Sequence, residues 1–219
     1  MAEDRLKSWE VLFGRALALI DSVADAAPPL EHWTFGGGTV LMRRYHHRYS
    51  KDVDIFISDP QYLPYLSPRV SAKAEELTTK YIEQSGFVKL FFPEGEIDFV
   101  VSSPLTPHPA AAETILGRSV QVETSAEIVA KKVQHRGDEF ASRDLFDLAL
   151  VATKEPDALP VIRHILDAKR EAILARLGTH DAPLRKTFAA LETMDFRPTY
   201  EECIAMVKQV LGGLPPPGE

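Results

Sequence analysis

The stretch Asp52-Val53-Asp54-Ile55-Phe56-Ile57 narrows most what this chain can fold into. Its alternation puts Val53, Ile55 and Ile57 on one face of a strand and Asp52, Asp54 and Phe56 on the other. Such a strand needs a core behind it and something to manage two neighbouring acids in front. Like-charged carboxylates held this close repel, and either a cation between them or water around them makes the pair tolerable. Hard oxygen ligands of this kind suit Mg²⁺, which takes one or two carboxylates and leaves positions for phosphates and water. Alone, the pattern is more often an edge strand with one solvated face. Its setting argues for more.

That setting begins with Gly36-Gly37-Gly38-Thr39, between a strand-like run at His32 to Phe35 and a helix predicted from Thr39 through Tyr45. A glycine turn opening a helix aims backbone N–H groups at one point and favours an anion such as phosphate. A third acid is then expected, and Asp98 is the candidate. It lies between Ile97 and Phe99 on the return strand of a predicted hairpin, with strands Phe87–Phe92 and Ile97–Val101 joined by a turn at Pro93-Glu94-Gly95-Glu96. An acid in so apolar a run needs a partner or a purpose. Glu96 shares its parity but is nearer the turn and expected to be solvated.

Around this centre, an amphipathic helix is predicted from about Asp4 to Ala26, with Leu6, Trp9, Phe13, Leu17 and Ile20 at three- and four-residue steps and Pro28-Pro29 ending it. Ser67-Pro68 predicts a helix running to about Gln84, and Val120–Val122 a short strand. After Glu123 only helical periodicity remains. Thr124 with Glu127 and Thr199 with Glu202 are capping-box pairs, Ser142 is a predicted cap, a helix near Asp157–Leu177 is broken once, and Gly212-Gly213 ends the last helix before a frayed tail, Pro215–Glu219. The expected fold is α+β, with a mixed sheet and flanking helices over residues 1–123 and an all-helical half over 124–219.

The chain has 219 residues, 45% hydrophobic and 26% charged, an ordinary soluble composition. No apolar run suggests a membrane span and no signal peptide is evident, so a cytoplasmic protein without membrane contact is expected. A single cysteine, Cys203, rules out an internal disulfide and reads as a small core residue. A net charge of −7 argues against extended binding of duplex DNA. It leaves room for a local basic run, Arg43, Arg44, His46, His47, Arg48 and Lys51, just before the acidic pair. The two histidines lack a clear second metal ligand, so no zinc site is expected; either one pointing into the site would alter acceptor preference.

Taken together, a glycine–glycine turn, a helix and Asp-x-Asp on a strand resemble the DNA polymerase β-like nucleotidyltransferase superfamily. A closer resemblance is to the AbiEii/AbiGii toxin family of type IV toxin–antitoxin and phage-defence loci. It rests on Gly37-Gly38-Thr39-Val40-Leu41 with Arg48-Tyr49-Ser50-Lys51-Asp52-Val53-Asp54-Ile55-Phe56. It rests also on a second motif, Glu127 to Lys132 followed by Ser142-Arg143-Asp144-Leu145-Phe146-Asp147-Leu148. The resemblance implies transfer of a nucleoside monophosphate from an NTP to a hydroxyl, with RNA (a tRNA 3′ end) or protein as acceptor, and a cognate antitoxin as partner. It matches Gly37, Gly38 and Thr39 to the phosphate-gripping turn, and Asp52, Asp54 and Asp98 to ligands of two Mg²⁺ ions, for which Mn²⁺ can substitute. Lys132 matches the motif lysine and is expected to neutralise triphosphate charge and serve catalysis. Asp144 and Asp147 are expected at the nucleotide or the motif lysine, Arg48 beside phosphate or carboxylate, and Ser50 beside the nucleotide. A non-catalytic nucleotide-binding module and a metal-dependent nuclease or phosphodiesterase are the rival readings.

Overall fold

A computed structural model describes residues 6–213; the predicted helix start at Asp4 and the tail Pro215–Glu219 lie outside the described residues. The chain forms two compact units. The first comprises the chain up to Val40, Ser50–Pro104 and Ala110–Glu123; the second comprises Leu41–Tyr49, Leu105–Pro109 and the chain from Thr124.

Seven strands form the first unit: β1 (Trp33–Gly36), β2 (Val53–Ile57), β3 (Tyr81–Gln84), β4 (Phe87–Phe91), β5 (Glu96–Val101), β6 (Ala110–Ile115) and β7 (Arg118–Glu123). They make one mixed sheet in the order β3-β4-β5-β2-β1-β7-β6. The pairs β2/β5 and β1/β7 run parallel and the rest antiparallel. Alternation holds as expected: Val53, Ile55 and Ile57 are buried, as are Ile97 and Phe99. Helix α1 (Ser8–Ser22) packs its buried stripe of Trp9, Leu12, Phe13, Ala16, Leu17 and Ile20 in this unit. Phe35 stacks on Trp9 at 5.9 Å between ring centroids and meets Phe13 at 4.6 Å. Helix α2 (Gly37–Tyr45) starts directly from β1.

Three local expectations are corrected. The helix predicted from Ser67 to Gln84 survives only as α3 (Ala72–Leu77), capped by the Ser71 hydroxyl, which accepts from the Ala74 N–H at 3.2 Å. Thr78 is already extended, and Tyr81–Gln84 pairs with β4 as a strand. Cross-strand pairing overrides the helical pattern where β-branched and aromatic residues accumulate. Strand β6 was unforeseen, because Ala110-Ala111-Ala112 carries no strand signal until β7 stands beside it. The hairpin turn is also tighter than predicted. Phe92 and Gly95 exchange backbone hydrogen bonds, so only Pro93 and Glu94 form the loop and Glu96 belongs to β5.

The second unit contains α4 (Ser125–Arg136), α5 (Ser142–Lys154), α6 (Ala158–Val161), α7 (Arg163–Thr179), α8 (Asp181–Ala189) and α9 (Tyr200–Gly212). The predicted break falls at Ile162, between α6 and α7. Thr124 and Thr199 accept from the expected N–H groups of Glu127 and Glu202. The reciprocal half of the capping box forms only at Thr199, because the Glu127 carboxylate bonds Leu105 and Thr106 while the Thr124 N–H donates to the Pro109 carbonyl. Gly213 ends α9 with φ of 84°. Ser142 is the first helical residue of α5 rather than its cap, and its hydroxyl donates to the Leu184 carbonyl at 2.6 Å. Helix α5 is buried on every side, from Asp144 through Ala152. The helix is thus enclosed within its unit although it carries two acids, and Phe146 at its centre meets His47, Phe188 and Phe196. Among the described residues no helix is long and apolar enough to cross a membrane.

Glu127 secures the segment Leu105–Pro109 to α4. Its buried carboxylate accepts from the N–H of Leu105 at 2.9 Å, the N–H of Thr106 at 2.9 Å and the Thr106 hydroxyl at 2.7 Å. Glu127→Ala strands these donors and is expected to cost roughly 3 kcal/mol. Urea unfolding checks this; an unchanged midpoint would show that the carboxylate carries no stability.

Candidate active site

Sheet register lines up the charged centre of the first unit. Gly36 on β1 is the partner of Asp54 on β2, Asp54 of Asp98 on β5, and Asp98 of Lys89 on β4. Residues paired across strands project to the same face, so two acids and one lysine share a row with a glycine at its end. The glycine is needed there. A Cβ on Gly36 would sit 2.2 Å from a Glu123 carboxylate oxygen and 2.8 Å from the Phe56 ring. Gly37 has φ of 75°, and a Cβ there would stand 1.9 Å from Asp54 Oδ2. The strand-to-helix turn and the acid are thus in van der Waals contact, possible only because the turn has no side chain.

Asp52 lies just before β2. Its Oδ1 accepts from the Glu96 N–H at 3.1 Å, so the tight β4–β5 turn holds this acid in place. Burial raises the Asp52 pKa, against the opposing pull of that N–H. Thr39 is fully buried; its hydroxyl donates to the Asp52 carbonyl at 2.5 Å and lies within hydrogen-bond distance of the Ser50 hydroxyl, at 3.2 Å. In this structure Thr39 and Ser50 therefore tie the start of α2 to the start of β2. Burial pushes Asp98 up to about 6, the charge of Asp54 adds to this, and the pair with Lys89 opposes it. Lys89 binds Asp98 Oδ2 at 2.8 Å and Glu96 Oε2 at 2.5 Å. Burial works against its charge, yet these two pairs prevail and hold its pKa above the ordinary value. The other Asp98 oxygen, Oδ1, is buried with no hydrogen-bond partner among the described residues.

The second motif is assembled inside the helical unit. Asp147 on α5 is fully buried and takes both arms of Arg48, Nε at 2.8 Å and Nη2 at 2.7 Å. His47 Nε2 stands 2.9 Å from Asp147 Oδ1. Burial lowers the pKa of His47, so the neutral ring donates Nε2–H to the carboxylate. Lys132 bridges Asp144 at 3.0 Å and Asp147 at 3.1 Å, and Arg136 reaches Asp144 at 3.4 Å. Asp144 also accepts from the Ala141 N–H at 3.1 Å, closing the first turn of α5. Burial alone would raise Asp147; Arg48 and Lys132 outweigh it and hold the carboxyl well below its usual range. His46 is exposed, 3.9 Å from Asp195. Cys203 is buried, as a core residue should be.

A family profile described as "Nucleotidyl transferase AbiEii toxin, Type IV TA system" matches residues 19–215. The chain belongs to the AbiEii family. It is a nucleotidyltransferase toxin of the type IV toxin–antitoxin class. A search of curated proteins finds no match. Among solved structures, an H. pylori protein provisionally described as a nucleotidyltransferase is 16% identical with a TM-score of 0.48, over 98% of this chain and 97% of that one. JHP933 from Helicobacter pylori is 14% identical with a TM-score of 0.44, over 94% of this chain and 93% of that one. The assignment rests on the family profile.

Sequence reasoning overlooked three charged residues beside the site of this AbiEii chain: Lys89, Glu96 as a partner of that lysine, and Glu123, whose carboxylate accepts from the Thr34 hydroxyl at 2.8 Å. Lys89 did leave a signal, a lone charge in Phe87-Val88-Lys89-Leu90-Phe91. Among the described residues, no three His, Cys, Asp or Glu side chains are grouped so as to hold a metal ion by themselves. Mg²⁺ does not require three, since substrate phosphate and water fill the remaining positions. The unpartnered Oδ1 of Asp98, next in register to Asp54, is the kind of hard donor such an ion takes.

Two predictions follow the two clusters. An acid whose folded pKa exceeds its unfolded value destabilises the fold once ionised. For Asp98 that penalty is absent below its reference value of 3.8, grows with pH, and is complete above about 6. Metal-free Asp98→Asn should therefore be more stable than wild type above the upper value, by at most about 2–3 kcal/mol. Melts in EDTA across this range test it, and a gap that does not narrow toward the acid end contradicts it. Asp147→Ala, by contrast, strands buried cations and should lose roughly 3–5 kcal/mol at neutral pH. A chemical melt within 1 kcal/mol (roughly) of wild type would contradict this.

Proposed function

We propose that this AbiEii chain transfers a nucleoside monophosphate from an NTP to an acceptor hydroxyl and releases pyrophosphate. The observation that carries the reading is the register match of Asp54 and Asp98 on adjacent parallel strands, with the Gly36-Gly37 turn on the next strand. Asp52, Asp54 and Asp98 are the residues that would hold Mg²⁺, or Mn²⁺ in its place, and two ions are proposed. The metal supplies charge neutralisation at the phosphates and makes the acceptor hydroxyl more acidic. Asp98 accepts the hydroxyl proton as the new P–O bond forms at the α-phosphorus and the bond to the β-phosphate oxygen breaks. Gly37 and Gly38 present the helix N-terminus to phosphate, and Thr39 with Ser50 keeps that turn fixed against Asp52.

Lys132 and Arg48 are proposed as the phosphate-attracting cations of the helical unit, held there by Asp144 and Asp147. Charge counting supports this. Arg48, Lys132 and Arg136 stand against Asp144 and Asp147, three cations to two acids, which leaves one positive charge in excess. RNA, including a tRNA 3′ end, and protein hydroxyls are the acceptor classes proposed.

Incubation with each labelled NTP, Mg²⁺ and total RNA or protein tests the reading. Label transfer is expected, and Asp54→Ala should lower it on the order of 1000-fold. NTP binding without transfer in wild type would instead indicate a binding module. Shortened RNA without label would indicate a nuclease.

A further inference from the structure

Lys89 has a place in the acidic row that the proposed chemistry does not use. Its ammonium lies 2.8 Å from Asp98 Oδ2, with the Lys89 side chain 25% and the Asp98 side chain 17% exposed. The same ammonium holds Glu96, the residue whose N–H holds Asp52. A carboxylate can turn about its last bond and offer either oxygen, or both, to a cation. With Oδ2 engaged by Lys89, only Oδ1 is left, and it is buried with no partner among the described residues.

We propose that Lys89 is a positioning residue, which by gripping one oxygen of Asp98 leaves the other as a single, pre-aimed donor for a divalent cation shared with Asp54. The inference rests on the metal-binding reading given above. A lysine beside metal ligands invites a simpler view, in which it is only a counter-charge that makes a crowded acidic row tolerable. The two views differ in sign. A pure counter-charge competes with the metal, so its removal strengthens cation binding. A residue that orients a ligating carboxylate aids the metal, so its removal weakens binding.

The test uses the full chain without nucleotide and Mn²⁺ as the probe, with binding read by electron paramagnetic resonance. Lys89→Met and the polar, uncharged Lys89→Gln are expected to bind Mn²⁺ about tenfold more weakly than wild type, and Lys89→Arg within about twofold. In nucleotidyl transfer, the Met and Gln variants should require more Mg²⁺ for half-maximal rate, while the KM for NTP at saturating metal stays near wild type. Circular dichroism melts identify the folded variants, and either neutral substitution suffices. Wild-type or tighter Mn²⁺ binding in the neutral variants overturns the proposal, as does an arginine variant as weak as they are. Asp54→Asn separates the two levels of inference. If it abolishes Mn²⁺ binding while the Lys89 variants bind normally, only the role of Lys89 fails; if it binds as wild type does, the metal reading beneath it fails.

Discussion

Asp54 and Asp98 occupy paired positions on adjacent parallel strands, and their mutual repulsion governs the first unit. Paired positions on neighbouring strands bring side chains within reach of each other, and two carboxylates there destabilise the sheet unless something offsets them. The apolar face behind them supplies the stabilisation: Val53, Ile55, Ile57, Ile97 and Phe99 are buried. The fold is therefore bound together on one face and held in an unfavourable charge state on the other. That is the condition in which a cation gains most by binding.

The surroundings are shaped by the same constraint. Gly36 and Gly37 lack side chains because Glu123, Phe56 and Asp54 take up the space. Thr39 spends its hydroxyl on the Asp52 carbonyl, and the β4–β5 turn delivers an N–H to the Asp52 carboxylate. Lys89 answers part of the charge from the far side of Asp98. Backbone and side-chain donors thus fix Asp52 at one carboxylate oxygen and at its carbonyl, and Asp98 at one carboxylate oxygen.

Helix α5 shows the opposite solution to the same problem. Asp144 and Asp147 are more deeply buried than Asp54 or Asp98, yet they are surrounded by Lys132, Arg48, Arg136 and His47. Buried acids matched by cations bind elements together, and removal of one partner is what such clusters resist. The sheet keeps an excess of negative charge and the helical cluster an excess of positive charge.

Much of this was legible in the residues themselves. Alternation from Asp52 to Ile57 was enough to assign a strand with two faces, because a period of two has no other regular solution. The glycine turn, the acidic pair, Asp98 and the Lys132…Asp147 motif were all recognisable by local chemistry and order along the chain. Register was not. A four-residue hairpin loop would have set Lys89 opposite Val100, whereas the two-residue loop sets it opposite Asp98. Nor could Ala110–Ile115 be read as a strand, or Tyr81–Gln84 separated from the helix before it, since the partner strands decide both. His47 looked like one more basic residue near the acids, and only the tertiary structure buries it between Phe146 and Asp147, where burial lowers its pKa. The chain alone determined which residue types stand on which elements, because periodicity and turn chemistry act over a few residues. Tertiary structure decided which charges meet, because a shift of one or two positions in strand pairing, or burial beside a distant helix, changes a residue's neighbour without changing its sequence.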